Sequence, residues 1–174
     1  MQNGTSIIAF RMPVGKVESL MLAASHSDSP TFKLKAVCEA DTGEYIKLNT
    51  ERYGGMIMSS WLDKPLSLAG RLIVKDGDAI KSVCVKVDKD LLLIPNVAIH
   101  QNRKHNDGFV FNAQTDMMPL FGMSSAKGTL ISQVAEAAGV GAEEVILELV
   151  DEAEETLRLS RGEREIYSAA DHAC

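Results

Sequence analysis

His26 and Asp28 stand two residues apart in His26-Ser27-Asp28, just after the apolar run Ser19-Leu20-Met21-Leu22-Ala23-Ala24. On extended backbone, residues at this spacing point to the same side, so an imidazole and a carboxylate can converge on one centre. A histidine so placed can ligate a metal while the carboxylate fixes its ring and raises its basicity. An identical triplet on a plain surface does nothing, but the end of a buried strand is where ligands in sheets gather. His100 closes a second apolar run, Leu91-Leu92-Leu93-Ile94-Pro95-Asn96-Val97-Ala98-Ile99. There the spacing leaves two readings open, a satisfied core histidine or a polar group aimed into a cleft.

Other candidates read more plainly. In Tyr53-Gly54-Gly55-Met56-Ile57-Met58-Ser59-Ser60-Trp61-Leu62-Asp63, paired glycines ahead of an aromatic suggest close backbone approach, and packing is the favoured role of Trp61 and Asp63. The pairs Glu143-Glu144 and Glu154-Glu155 have the residue type of a hydrolytic base, yet they lie in a strongly acidic stretch that reads as a solvated face. Cys38, Cys84 and Cys174 have no CxxC spacing and are expected as reduced thiols.

The elements that must position these residues follow from composition and pattern. Apolar residues make up 45% of the 174, enough for a substantial core. The formal charge of −6 supplies no basic face for a phosphate backbone, which argues against nucleic acid as a partner. No run approaches the roughly 18 apolar residues of a membrane span, and Met1-Gln2-Asn3-Gly4 lacks a basic head, so a soluble cytoplasmic protein is expected.

Short apolar runs at Ser6–Met12 and Ser19–Ala24 predict two strands joined at Pro13-Val14-Gly15, the second covered on both faces. Five further strands are expected at Lys33–Val37, Glu44–Thr50, Leu66–Lys75, Ala79–Asp88 and Leu91–His100, with Asp76-Gly77-Asp78 as a tight hairpin turn. Together they suggest a compact barrel or sandwich. Residues 102–128 read as a long irregular connection. Thr129–Ala138 is the one convincing helix, stopped by Gly139, and Val145–Val150 could be a returning strand.

Four segments taken together resemble the aspartyl aminopeptidase and vacuolar aminopeptidase I family of two-zinc exopeptidases. His26-Ser27-Asp28-Ser29-Pro30 is similar to the family's His-Thr-Asp-Ser-Pro, and Tyr53-Gly54-Gly55 with Trp61-Leu62-Asp63 to its Tyr-Gly-Gly followed by Trp and Asp. Leu68-Ala69-Gly70-Arg71-Leu72-Ile73-Val74-Lys75 and Ile94-Pro95-Asn96-Val97-Ala98-Ile99-His100 complete the set in the family's order. Ser27 stands where the family has threonine, and Met56 where it has a third glycine.

The resemblance implies a mixed α/β, β-rich chain: a metallopeptidase domain interrupted by a barrel-like dimerisation domain with one main helix. Residues 1–30 would be the first piece of the catalytic domain, 31–150 the dimerisation domain, and 151–174 the return into the catalytic domain. By the same resemblance His26 is a zinc ligand, and Asp28 is the carboxylate that orients it. His100 is the histidine that reaches the neighbour's active site, where it holds substrate and stabilises the tetrahedral intermediate. The bridging aspartate falls near 170–171, with Asp171 as the candidate and Ala170 there if Cys174 sets the alignment. The family's Glu-Glu pair, further aspartate ligand and last histidine have no counterpart in the 174 residues. The implied activity is removal of N-terminal residues from peptides by a zinc-bound hydroxide. The chain would be a homo-oligomer and inactive by itself. The alternative is a stand-alone oligomerisation or regulatory module derived from the same family, without catalysis.

Overall fold

The structure, a computed structural model, describes residues 7–25, 29–146 and 158–160. Seven strands form its sheet: β1 (Thr31–Asp41), β2 (Tyr45–Tyr53), β3 (Pro65–Asp76), β4 (Ala79–Lys86), β5 (Leu92–Leu93), β6 (Leu120–Met123) and β7 (Arg158–Ser160). Their order is β4-β3-β5-β6-β2-β1-β7, with all pairings antiparallel and β7 also beside β3. One helix, α1 (Leu130–Ala138), packs against β4.

Period-two patterning builds the core. In β3, Leu66, Leu68, Leu72 and Val74 fall on one parity and are all buried; in β2, Ile46, Leu48 and Thr50 do the same. Phe32 and Leu34 of β1 meet them, as do Val85, Val87, Leu92, Ile94 and Met117. α1 supplies Leu130 and Val134, one turn apart on the same face. Gly139, at φ 70, ends the helix in the left-handed conformation, and its N–H donates to the last turn.

The β3–β4 hairpin is the tight one expected from Asp76-Gly77-Asp78. Asp76 pairs with Ala79, leaving Gly77 and Asp78 as the turn, with Gly77 at φ 63. β1 carries a wide bulge, in which Lys35 to Cys38 lie opposite Asn49 alone. The Asn49 side-chain amide donates to the Val37 carbonyl at 2.8 Å, satisfying a backbone group that the bulge takes out of the ladder.

Four expectations are corrected. Residues 7–25 form no strand: no strand of the described sheet pairs with them, and Ile8 and Leu22 are 90% and 93% exposed. Apolar composition alone does not make a strand, because its backbone groups need a neighbouring ladder. The run from Leu91 to His100 is strand only at Leu92–Leu93, since Pro95 has no N–H and the groups around it bond elsewhere. The long connection 102–128 contains a strand after all, β6, which bridges β2 and β5. Finally, the barrel-like outline stands as an antiparallel sheet and not as a closed cylinder, with β1 to β7 and β5 to β6 each joined by a single residue pair.

The expected strand Val145–Val150 is described only at its start, where Val145 bridges Val74 and the Ile146 N–H donates to the Ile73 carbonyl at 2.9 Å. Among the described residues, no helix is long and apolar enough to cross a membrane.

Candidate functional site

Three of the four motif segments come together around residues 58–63. β1 begins and β2 ends side by side, with Thr31 paired to Tyr53. Gly54, at φ 77, lies against Pro30, so that a Cβ built there would sit 3.4 Å from the Pro30 Cα. This is the close approach that the paired glycines suggest, and it seats the end of His26-Ser27-Asp28-Ser29-Pro30 against the Tyr-Gly-Gly segment. The 3₁₀ turn Met58–Trp61 then drops Trp61 into the core, edge-on to Phe32 with ring centroids 5.2 Å apart.

The next residues tie in the third segment. Asp63 follows buried Trp61 and Leu62, and its backbone N–H donates to the Ile94 carbonyl at 2.9 Å. Its Oδ1 accepts the N–H of Asn96 at 2.8 Å. The Asn96 side chain accepts from the Val97 N–H at 2.8 Å, and the Ala98 carbonyl accepts from the N–H of Gln101 at 2.8 Å. His100 sits in that last turn, exposed, with exposed Val97 and Ile99 beside it. The open alternatives for His100 thus resolve toward a surface ring carried on an anchored loop, not a core histidine. The sequence favoured packing for Trp61 and Asp63. Trp61 packs, but Asp63 is a polar anchor for a loop 33 residues ahead.

His26, Asp28, Asp171 and the alternative Ala170 lie outside the described residues, as do Cys174 and the Glu154-Glu155 pair. Among the described residues, no three His, Cys, Asp or Glu side chains are grouped to hold a metal ion. The described segments therefore do not by themselves make a zinc centre. Glu143 and Glu144 are exposed, and Glu144 accepts the Gly141 N–H at 2.9 Å, which makes it a capping residue of a 3₁₀ turn.

Two further features escaped the sequence reading. His105 lies between Phe109 and Phe111, stacked on the first at 6.1 Å and edge-on to the second at 5.7 Å, so an aromatic cluster gathers the loop after His100. At the other end of the β1–β2 hairpin, Asp41 accepts the Gly43 N–H at 2.8 Å and pairs with Lys127 at 3.0 Å, while Glu39 accepts the Gly128 N–H at 2.7 Å. The Gly43 amide first, and the Lys127 ammonium after it, hold the Asp41 carboxyl below the usual carboxylate range. Burial, with Glu39 nearby, pushes the Cys38 thiol up, away from nucleophilic character.

Several solved structures share this architecture, among them yeast aminopeptidase 1 (Ape1), with a TM-score of 0.55 and 26% identity over 79% of this chain and 31% of its own. The cryo-EM structure of an Ape4 and Nbr1 complex matches 80% of this chain and 29% of its own, with a TM-score of 0.69 and 30% identity. The S. cerevisiae mApe1 dodecamer matches 79% of this chain and 30% of its own, with a TM-score of 0.55 and 27% identity. The fold is thus one shared with solved aminopeptidase I structures. The model of the aminopeptidase I zinc metalloprotease (M18) family matches residues 1–159, and the chain belongs to that family.

Among curated relatives, a probable M18 family aminopeptidase 2 of Clostridium acetobutylicum is 38% identical over 154 residues, 83% of this chain and 36% of the relative. Aspartyl aminopeptidase 4 of Saccharomyces cerevisiae is 40% identical over 131 residues, 72% of this chain and 26% of the relative. The chain spans about a third or less of the length of these relatives.

Proposed function

We propose that this chain is an amino-terminal portion of a cytoplasmic zinc aminopeptidase that removes N-terminal residues from peptides, acidic ones included. Residues 31–150 serve as its dimerisation domain and 1–30 with 151–174 belong to the catalytic domain, apart from 158–160, which pair with β1 and β3. The observation that carries this reading is the family match over residues 1–159, beside relatives named as aminopeptidases.

In this reading His26 and Asp171 contribute to a two-zinc site, and Asp28 orients His26. Zinc held there in the complete enzyme would supply Lewis-acid chemistry for hydrolysis of the peptide bond. The part played by the described residues is that of His100. It is exposed on a loop beside apolar Val97 and Ile99, so docking against a second copy covers those side chains and brings the imidazole to the neighbour's substrate. There it holds the substrate and donates a hydrogen bond to the oxygen on which negative charge develops.

Alone, the chain has too few ligands for two zinc ions with an open position, and it does not turn over peptides. An aminopeptidase assay of the isolated chain with added zinc tests this. Background rates are expected, whereas turnover abolished by His26→Ala would contradict the inactivity. Coding sequence continuing past Cys174 into a Glu-Glu pair and a late histidine supports the enzyme, and a true stop there supports a non-catalytic oligomerisation module instead.

A further inference from the structure

We propose that Asp63 is the positioning residue for His100, and that it acts through the loop between them without touching substrate. This rests on the assignment of His100 to the neighbour's active site. Among the described residues Asp63 is the one non-glycine side chain at positive φ, 56°. A positive φ is uncommon for a residue with a Cβ, and aspartate is among the few that adopt it, because its short side chain can bond locally.

What determines it here is a two-handed grip. The Asp63 N–H donates to the Ile94 carbonyl at 2.9 Å, and its Oδ1 accepts the Asn96 N–H at 2.8 Å. The two bonds straddle Pro95, which has no N–H of its own and a fixed φ. Beyond the grip, the Asn96 side chain accepts from the Val97 N–H, and the Ala98 carbonyl closes one turn through His100 to Gln101. Behind it, Trp61 is 3% exposed and set against Phe32. A series of bonded groups thus leads from the core toward the His100 backbone, and Asp63 is where it crosses from one segment to the other.

Three substitutions separate the parts. Asp63→Gly removes the acceptor while relieving the left-handed backbone. Asp63→Ala removes the acceptor and keeps the strain. Asp63→Asn keeps an acceptor oxygen and tolerates the conformation. In the whole-length aminopeptidase, Asp63→Gly is expected to lower kcat about tenfold, the scale of one charge-assisted hydrogen bond, and Asp63→Asn to restore most of it. Asp63→Gly/His100→Ala is expected to be no slower than His100→Ala alone. If His100→Ala leaves kcat unchanged, the reading of His100 itself fails. If His100→Ala slows the enzyme and Asp63→Gly does not, or if the two losses multiply, the positioning role fails and the reading of His100 stands.

Amide exchange on the 174-residue chain gives a readout independent of activity. In Asp63→Gly the Asn96 amide is expected to exchange about tenfold faster, with the ladder amides of Val87 and Leu91 unchanged. Unchanged protection of Asn96, or equal acceleration at Val87 and Leu91, overturns the proposal.

Discussion

Residues 7–25 and the β-rich body make similar use of apolar side chains and come to opposite ends. Leu20, Met21 and Leu22 are 80%, 98% and 93% exposed, while Leu66, Leu68 and Leu72 of β3 are at most 1% exposed. The difference is one of partners, not of residue type. β3 is flanked by β4, β5 and β7, and its buried side chains share one core with those of β1, β2 and α1, whereas the early run has no ladder among the described residues. Apolar patterning thus reports that a segment is suited to burial, and the location of the covering surface is separate information.

The sharpest way to break this comparison is to truncate one side chain in each region. Phe32→Ala is expected to cost about 3–5 kcal/mol, because Phe32 is fully buried and in edge contact with Trp61. Leu22→Ala in the same chain is expected to change stability by less than about 0.5 kcal/mol, as an exposed side chain does. Denaturant unfolding of both variants decides the matter, and an equal loss for the two would erase the distinction.

A smaller effect is expected at the edge of the body, where Gly54 meets Pro30. Gly54→Ala places a Cβ at φ 77, at a cost of about 1–2 kcal/mol, with ordinary contact to Pro30. Gly55→Ala, which has open space and no positive φ, should be close to neutral. Thermal melts that rank the two in the reverse order would remove the reason given for the glycine at 54.

The smallest effect concerns the far end of the body. Because the folded protein lowers the Asp41 carboxyl, its contribution is present at neutral pH and is lost as pH falls through the folded-state value, below the usual carboxylate range. Titration by NMR should show Asp41 ionising below an ordinary aspartate, with Gly43 amide protection lost alongside. Asp41→Asn should remove that dependence. An ordinary Asp41 titration would mean that the Gly43 and Lys127 contacts do not hold in solution.

Much of the body was legible in the sequence for physical reasons. Ile46 and Leu48, and Leu66, Leu68, Leu72 and Val74, repeat at period two, Gly77 marks a two-residue turn, and Leu130 with Val134 marks one helix face. β6 was not legible, because four residues of Leu-Phe-Gly-Met carry no period. Nor was the bulge at Lys35–Cys38, where the extra residues are set by the side chain of Asn49 on another strand. Of the candidate site, the four motif segments could be picked out by residue type, but the grip of Asp63 on Asn96 could not. Contacts between distant segments leave no trace in local spacing.

The central claim is that the β-rich body carries His100 across to a second copy. Whole-length His26→Ala and His100→Ala enzymes, the first inactive and the second strongly slowed, should regain part of their activity when mixed and allowed to exchange subunits. One intact site then forms from the zinc-binding half of one chain and the His100 loop of the other. No recovery on mixing, with subunit exchange confirmed by mass, would place His100 in its own chain's chemistry or outside the site altogether and contradict the claim.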